Sequence, residues 1–179
     1  MLEESFSLRW ARLEDVDQLT ELMHAAIQHL QTPWLSPQQI EGSFEIMGLD
    51  TQLILDQTYY LVEQNGQFAG CGGWSRRATL FGGDHSSGRS PRVLDPATEA
   101  ARVRAMYTHP DFVRRGIGRA ILEACEAAAR AEAFLQVELA ATAAGVPLYE
   151  AAGYAPIEAI PSVASNGAEI PLVLMRKTL

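Results

Sequence analysis

Lysine is almost absent from this chain. Lys177 is the only one, and every other basic residue is an arginine. A P-loop that binds nucleoside triphosphates needs a lysine directly after a glycine and before a serine or threonine. Lys177 follows Arg176 instead, so the sequence excludes a P-loop.

Cysteine is scarce as well. Cys71 and Cys125 are isolated, with neither CxxC spacing nor histidine pairs nearby. The sequence therefore indicates neither a zinc site nor a disulfide framework, and no bound metal is expected. We expect both side chains to be buried and to behave as apolar residues.

Long hydrophobic runs are also missing. No stretch approaches the ~18 uninterrupted apolar residues of a membrane-spanning helix. The opening residues, Met-Leu-Glu-Glu-Ser-Phe, are acidic where a secretory signal would be basic. With 47% hydrophobic and 20% charged residues in a length of 179, we expect a single globular domain over residues 1–179 that is cytoplasmic and does not bind membranes.

Basic residues are fewer than acidic residues. The chain has 14 lysines and arginines against 22 aspartates and glutamates, which gives a formal net charge of -8. A surface of this charge repels nucleic acid and anionic membranes. Three arginines are nevertheless close together, at Arg114, Arg115 and Arg119.

The hydrophobic pattern predicts strands and helices in alternation. The predicted strands cover residues 7–12, 58–64, 68–75, 101–108, 135–140, 154–158 and 170–176. The predicted helices cover residues 16–30, 38–47, 116–132 and 146–152. Asn65-Gly66 indicates a hairpin turn, and the composition of residues 82–98 indicates a mobile loop of unusual length. This order of elements predicts a mixed α/β sheet.

The segment from His109 to Arg119 places a glycine-rich turn between a predicted strand and a predicted helix. Such a turn exposes unpaired backbone N–H groups at the positive end of the helix dipole, where a phosphate can approach them. A dinucleotide-binding fingerprint would need a glycine where Ile121 stands and would begin directly after the strand. Glu138 lies near the distance expected of a ribose ligand, so that alternative stays open.

The same segment resembles the pattern Gln/Arg-x-x-Gly-x-Gly/Ala in its two glycines, Gly116 and Gly118, while its first position holds Val113. A later segment, from Gly145 to Tyr154, carries a tyrosine on a short predicted helix. Together with the opening strand and helices and the hairpin, these motifs resemble the GCN5-related N-acetyltransferase (GNAT) family over most of the chain. The resemblance implies the fold of that family, a mixed, mostly antiparallel sheet with flanking helices.

The resemblance also implies acetyl-CoA as the cosubstrate. Backbone groups of Met106, Tyr107 and Thr108 would pair with its pantetheine arm as an added strand does. The residues implied for its pyrophosphate are Arg114, Arg115, Gly116, Ile117, Gly118 and Arg119. The chain departs from the family pattern at Val113, where a glutamine or arginine is usual. Because backbone amides do most of the binding, we expect the affinity for the cofactor to survive this change.

Tyr149 aligns with the family tyrosine that hydrogen-bonds the CoA sulfur and protonates the departing thiolate. A phenol of pKa ~10 stays protonated at neutral pH and can donate to a thiolate whose acid has a pKa of ~8.5. A base is expected too, because an alkylamine of pKa ~10.4 must lose a proton before it attacks. Some relatives carry a glutamate where Arg102 stands, so the base is left open between Glu99, Glu138 and water.

The function implied by the resemblance is an acetyl-CoA-dependent N-acyltransferase. An amine on a small molecule or a peptide would attack the thioester directly in a ternary complex. A non-catalytic acetyl-CoA sensor is the alternative, and the sequence identifies neither the acceptor nor the acyl-chain length. Pairing of two copies through edge strands, giving a homodimer, is a further implied partnership.

The acidity of the chain bears on the acceptor. It favours a cationic or neutral amine over a polyanion. The segments expected to wall the acceptor cleft carry Glu41, Glu45, Asp84 and Asp95. The acceptor should therefore bind more weakly as salt rises, and DNA or RNA should not bind specifically.

Overall fold

The computed structural model describes residues 5–179 and contains a seven-stranded sheet. The acidic residues at positions 3 and 4, which argued against a secretory signal, lie outside the described part of the chain. The strands are β1 (Ser7–Trp10), β2 (Tyr59–Gln64), β3 (Gln67–Ser75), β4 (Ala101–Thr108), β5 (Gln136–Thr142), β6 (Ala155–Ile160) and β7 (Leu172–Thr178). Every strand predicted from the sequence is present, with ends shifted by a few residues.

The strands are ordered β1-β2-β3-β4-β5-β7-β6. All neighbouring pairs are antiparallel except β4 and β5. This arrangement confirms the prediction of a mixed, mostly antiparallel sheet. The parallel pair forms because the chain crosses over through a helix between β4 and β5.

The β4–β5 pair is joined only at its start. Ala101 is opposite Val137 and Arg102 is opposite Glu138, and the pairing ends there. β5 continues to pair with β7 along its whole length, and β4 continues to pair with β3 as far as Thr108. The two halves of the sheet therefore separate beyond Arg102 and Glu138 and leave an opening between them.

Helices cover both faces of the sheet. They are α1 (Val16–Leu30), α2 (Pro37–Ile46), α3 (Thr51–Leu55), α4 (Ile117–Ala131) and α5 (Val146–Ala151). Successive residues of β2 point to opposite faces: Leu61 belongs to the core under α1, and Val62 belongs to the core under α4. The sheet is thus buried on both sides in its central strands.

The two cysteines lie one on each face. Cys71 packs in the core under α1 and Cys125 in the core under α4, and both thiols are free and fully buried. Burial raises the pKa of Cys71 to about 12 and raises that of Cys125 further. Their burial confirms the prediction of apolar packing, and both thiols stay protonated at neutral pH.

α2 begins with a serine cap, Ser36. The Ser36 hydroxyl accepts from the Gln39 N–H at 3.3 Å, and the Gln39 side chain accepts from the Ser36 N–H at 2.9 Å. This capping box pairs two N–H groups that would otherwise lack partners. α3 was not predicted, because its five residues are too few for helical periodicity to register.

The segment from Arg76 to Thr98, which includes the loop predicted over residues 82–98, is irregular and is held to the rest of the fold at several points. Thr79 and Ser90 exchange two hydrogen bonds of 2.9 Å across it. Arg77 makes two hydrogen bonds to Asp56, at 2.6 and 2.9 Å, which tie the segment to the end of α3. Leu94 is buried in the main core.

Two kinds of feature are missing from the described part of the chain, a membrane-spanning helix and a metal-binding cluster. Among residues 5–179, no helix has the length and apolar character needed to cross a bilayer. Nor do those residues bring together three histidine, cysteine or carboxylate side chains in a group that could hold a metal ion.

Candidate functional site

A cavity of about 230 Å³ lies where β4 and β5 separate. Its floor and one end come from the inner stretch of β4 (residues 103–108), from Leu139, Ala140 and Thr142 of β5, and from Gly118, Leu148 and Tyr149 on the helices that follow. Its other end is closed by α1, by the chain after α2 and by the segment around Phe81. The cavity therefore runs from the start of α4 across the sheet to α1.

A β-bulge distorts β4 at the cavity. Gly73 is opposite Arg104 and Cys71 is opposite Tyr107, so β4 has one more residue than β3 between these pairs. Ala105 takes up the difference with a φ of 50°, a conformation that costs an L-residue ~1–2 kcal/mol. The Tyr59 hydroxyl donates to the Ala105 carbonyl at 2.7 Å and holds the bulge from the core.

The backbone is also unusual just before α4. Arg114 has a φ of 65° and Gly116, the residue that precedes the helix, has a φ of 80°. Gly116 supplies no side-chain cap, and a Cβ placed on it would meet no atom within 4 Å. The first N–H groups of α4 lack intrahelical partners and lie at the positive end of its dipole. The start of α4 is thus an open site suited to an anion.

The three clustered arginines surround this helix start. Arg115 lies over the Phe112 ring, 5.2 Å from its centroid, and donates to the Asp111 carbonyl at 3.2 Å. Arg119 donates to the Ala151 carbonyl at 3.1 Å, which ties α4 to α5. Arg114 is exposed. All three add positive charge beside the N–H groups of α4.

Tyr149 lines the cavity from α5 and is 8% exposed. Its ring packs edge-on against Tyr154, with centroids 5.9 Å apart. Gly145 makes room for it, since a Cβ there would lie 2.9 Å from Tyr149 Cε2. Burial raises the pKa of Tyr149 well above the usual value for tyrosine, so the side chain stays protonated at neutral pH.

Neither carboxylate considered as a base lines the cavity. Glu138 is held between Arg102 and Arg176, with Arg176 Nε 2.7 Å from its Oε1. Glu99 accepts two hydrogen bonds from Arg92, at 2.9 and 2.7 Å, and these lower its pKa to about 2. The geometry therefore removes Glu99 and Glu138 as candidates for the base, and Glu138 as a ribose ligand.

The expectation of an acidic acceptor cleft was wrong. No carboxylate or histidine lines the cavity within the described residues. The carboxylates named for it bond to backbone N–H groups elsewhere: Glu45 accepts from Ser165 at 2.8 Å, Asp84 from Thr51 at 3.0 Å and Asp95 from Ala97 at 3.0 Å. Glu41 is exposed and lies outside the lining.

One buried charge in the cavity wall was not predicted. Arg104 is 3% exposed and donates to Asp50 at 3.1 Å, to the Gly82 carbonyl at 2.7 Å and to the Thr79 carbonyl at 3.3 Å. Alternation places Arg104 on the opposite face of β4 from the buried Ala101 and Val103, so it does not indicate that this side chain is buried. Its partners are remote in sequence, and no local pattern indicates them.

The chain matches the sequence pattern described as "Acetyltransferase (GNAT) domain" over residues 56–156. No curated protein matches its sequence. Among solved structures, a GCN5-related N-acetyltransferase from Rhodopseudomonas palustris is 18% identical with a TM-score of 0.72, and the match covers 100% of this chain and 99% of that one.

Two further solved structures share the fold. PaiA N-acetyltransferase from Thermoplasma acidophilum, in complex with coenzyme A, is 13% identical with a TM-score of 0.65, covering 98% of this chain and 99% of that one. The ribosomal-protein-S18-alanine N-acetyltransferase from Escherichia coli is 17% identical with a TM-score of 0.60, covering 97% and 94%. At these identities the likeness establishes the fold.

Proposed function

Because the chain belongs to the GNAT family of acetyltransferases, we propose that its cavity moves the acetyl group of acetyl-CoA to an amine by direct attack in a ternary complex. The observation that carries this proposal is the opening between β4 and β5, which leads from the bare start of α4 to the buried Tyr149 hydroxyl. A cosubstrate can enter at one end of this opening and an amine at the other.

The residues at the start of α4 fit a pyrophosphate. Gly116 leaves open space in front of N–H groups that have no partner in the helix, and Arg114, Arg115 and Arg119 supply positive charge around them. A phosphate at a helix N-terminus is stabilised both by these N–H groups and by the helix dipole. We assign this end of the cavity to the diphosphate of the cosubstrate.

The backbone of β4 fits the pantetheine arm. Met106, Tyr107 and Thr108 lie on the cavity side where β5 no longer pairs with β4. Their N–H and C=O groups can bond to an amide-bearing chain that lies beside them as an added strand does. Acetyl-CoA supplies the activated acetyl group, and an N–H of the bulge near Met106 polarises the acetyl oxygen.

Tyr149 is assigned as the general acid. Its hydroxyl is protonated at neutral pH, as any phenol is, and burial raises its pKa further. It can donate a hydrogen bond to the sulfur and give its proton as negative charge develops there, although the conjugate thiol, of pKa ~8.5, is the stronger acid. The proton of the amine passes to water, since Glu99 and Glu138 lie outside the cavity.

A screen of acceptors tests the proposal. The wild-type protein is incubated with acetyl-CoA and with amines, amino acids, aminoglycosides or peptide N-termini, and free thiol is measured. We expect thiol to appear together with an equal amount of acetylated amine, above a control without acceptor. The alternative, an acetyl-CoA sensor, would bind the cosubstrate and release no thiol with any acceptor.

A further inference from the structure

We infer that the acceptor is an α-amine beside an apolar side chain, with an amide in place of a free carboxylate. This inference rests on the proposed function and names the acceptor class for the same cavity. It follows from three features of the acceptor end: an apolar wall, a guanidinium that is already paired, and the lack of a side-chain base.

The acceptor end of the cavity is lined by apolar side chains. They are contributed by α1, by the chain after α2 and by the segment before Gly82: Ile27, Leu30, Ile46, Met47, Leu80 and Phe81. Gln31 is the polar side chain among them, and its amide donates to the Met47 sulfur at 3.4 Å. An acceptor that buries an apolar side chain here gains from leaving water, whereas a polar acceptor would lose its hydration.

Among the described residues, this wall offers no unpaired positive charge to a carboxylate. Arg104 is the charged side chain in the lining, and it is occupied by Asp50 and by the carbonyls of Gly82 and Thr79. A free amino acid would bring a carboxylate into this end without a partner, which is costly in an apolar site. An amide or a peptide bond at that position carries no charge.

The lack of a side-chain base favours an amine that is already partly neutral. An α-amino group has a pKa of ~7.7–8.0 and an alkylamine one of ~10.4, so the neutral fraction near pH 7 differs by roughly 300-fold. No carboxylate or histidine of the described residues lines the cavity to accept the proton or to hold an ammonium group. An α-amine therefore depends less on a base to remove its proton than a lysine-like amine does.

Four acceptors separate the effect of the α-amine from the effect of the apolar side chain. Phenylalaninamide has the α-amine and the apolar side chain, glycinamide only the amine, 3-phenylpropylamine only the apolar group, and Nα-acetyllysinamide neither. Near pH 7 we expect kcat/KM for phenylalaninamide to exceed that for glycinamide by roughly 10- to 100-fold and that for 3-phenylpropylamine by on the order of 100-fold. Free phenylalanine should be poorer than phenylalaninamide even above the pKa of its amine.

Two substitutions make the test specific to the cavity. Leu30→Glu adds a carboxylate to the lining at a half-buried position of α1 and should lower the preference for phenylalaninamide over 3-phenylpropylamine by roughly 10-fold. Leu55→Glu makes the same change on α3, at a side chain that is 60% exposed and outside the lining. It should leave the preference unchanged.

A further acceptor, the peptide Phe-Ala-Ala, distinguishes two natural sources of the α-amine, a peptide N-terminus and a small amino-acid amide. A peptide N-terminus as the natural source predicts a higher kcat/KM for the peptide than for phenylalaninamide, and a small amino-acid amide predicts the reverse. Higher turnover with Nα-acetyllysinamide or free phenylalanine would overturn the inference and leave the proposed function intact.

If no acceptor is turned over, binding of the same amines to the protein still tests the inference. In that case the proposed function fails, and the melting temperature of the CoA-loaded protein is measured with each amine. Stabilisation by phenylalaninamide above that by Nα-acetyllysinamide supports the acceptor class, because stabilisation follows affinity for the folded state. Equal or reversed stabilisation overturns it.

Discussion

The Tyr149 hydroxyl is the atom to which the proposed chemistry assigns a proton transfer. Tyr149→Phe keeps the ring, its contact with Tyr154 and the room left by Gly145. We expect kcat to fall by roughly 10- to 1,000-fold, because general acid catalysis contributes about that much. Melting temperature and the Kd for acetyl-CoA should change little.

Tyr154→Phe is the matched control for this variant. Tyr154 is also a buried tyrosine and packs against Tyr149, but it does not line the cavity. Its loss of a hydroxyl should leave kcat near the wild-type value. Equal kcat for wild type and Tyr149→Phe, with the chemical step shown to be rate-limiting, would assign Tyr149 to packing.

Single residues differ in how far the sequence could predict them. Tyr149 and the glycines at the start of α4 stand in short motifs whose spacing is visible in the chain. The Tyr59–Ala105 hydrogen bond and the Arg104–Asp50 ion pair join residues 46 and 54 positions apart. Such pairs depend on strand register and packing, and no local pattern indicates them.

The bulge in β4 is the element-scale feature on which the cavity depends. Ala105 adopts its left-handed conformation where the Tyr59 hydroxyl donates to its carbonyl from the core under α1. This conformation persists because its surroundings compensate for its cost. The bulge also interrupts the regular pairing of β3 and β4 beside the cavity, which resumes at Cys71 and Tyr107.

Removing the Tyr59 hydroxyl should loosen the bulge. Tyr59→Phe leaves the Ala105 carbonyl without this partner, and we expect the free energy of unfolding to fall by about 1–3 kcal/mol. Because the neighbouring backbone binds the cosubstrate in the proposed function, the Kd for acetyl-CoA should rise as well. Urea unfolding and calorimetric titration measure the two effects.

Tyr60→Phe is the control on the next residue of the same strand. The Tyr60 hydroxyl donates to the Ala124 carbonyl at 3.4 Å, on the face covered by α4. That bond is longer, and it does not reach the bulge. If Tyr60→Phe raised the Kd for acetyl-CoA as much as Tyr59→Phe, the link between the bulge and binding would be refuted.

At the scale of the whole molecule, carboxylates paired with arginines contribute stability that is lost in acid. Arg9 makes two hydrogen bonds to Asp15 that lower its pKa, and Arg77 does the same to Asp56. A lowered carboxyl pKa stabilises the fold above the unfolded value of 3.8, and the contribution is lost as pH falls through the folded value. The melting temperature should therefore begin to fall near pH ~4.

Neutral variants identify the groups responsible. Asp15→Asn and Asp56→Asn should each cost about 1.5–3 kcal/mol near neutral pH, because each removes hydrogen bonds to a charged partner. Each should also make the acid decline of the melting temperature shallower. Asp17→Asn, at an exposed position of α1, should change neither. If the melting temperature of both variants fell with pH as that of the wild type does, other groups would be responsible for the loss of stability in acid.

At the same scale, the sequence predicted the composition of the sheet better than its geometry. All seven strands and the mixed character of the sheet followed from alternation and turn residues. The separation of β4 from β5 after two residue pairs did not, because strand pairing across a crossover is set by packing on both faces. The cavity follows from that separation.

Binding of acetyl-CoA at the start of α4 is the event on which the proposed reaction depends, and titration calorimetry measures it directly. Gly116→Asp places a carboxylate where a side chain would meet no protein atom within 4 Å. Gly116→Asn matches it in shape without the charge, and both residues tolerate a positive φ better than most. Gly66→Asp repeats the change at the hairpin turn, where φ is also positive and the space is also open.

The wild-type protein should bind acetyl-CoA, with ATP and NADH binding far more weakly. Gly116→Asp should raise the Kd for acetyl-CoA at least ~10-fold above that of Gly116→Asn, because the added charge faces the diphosphate in an anion site. Gly66→Asp should bind as the wild type does. Wild-type affinity in a folded Gly116→Asp protein, or ATP and NADH binding as tightly as acetyl-CoA, would contradict the assignment of this cavity to acetyl-CoA.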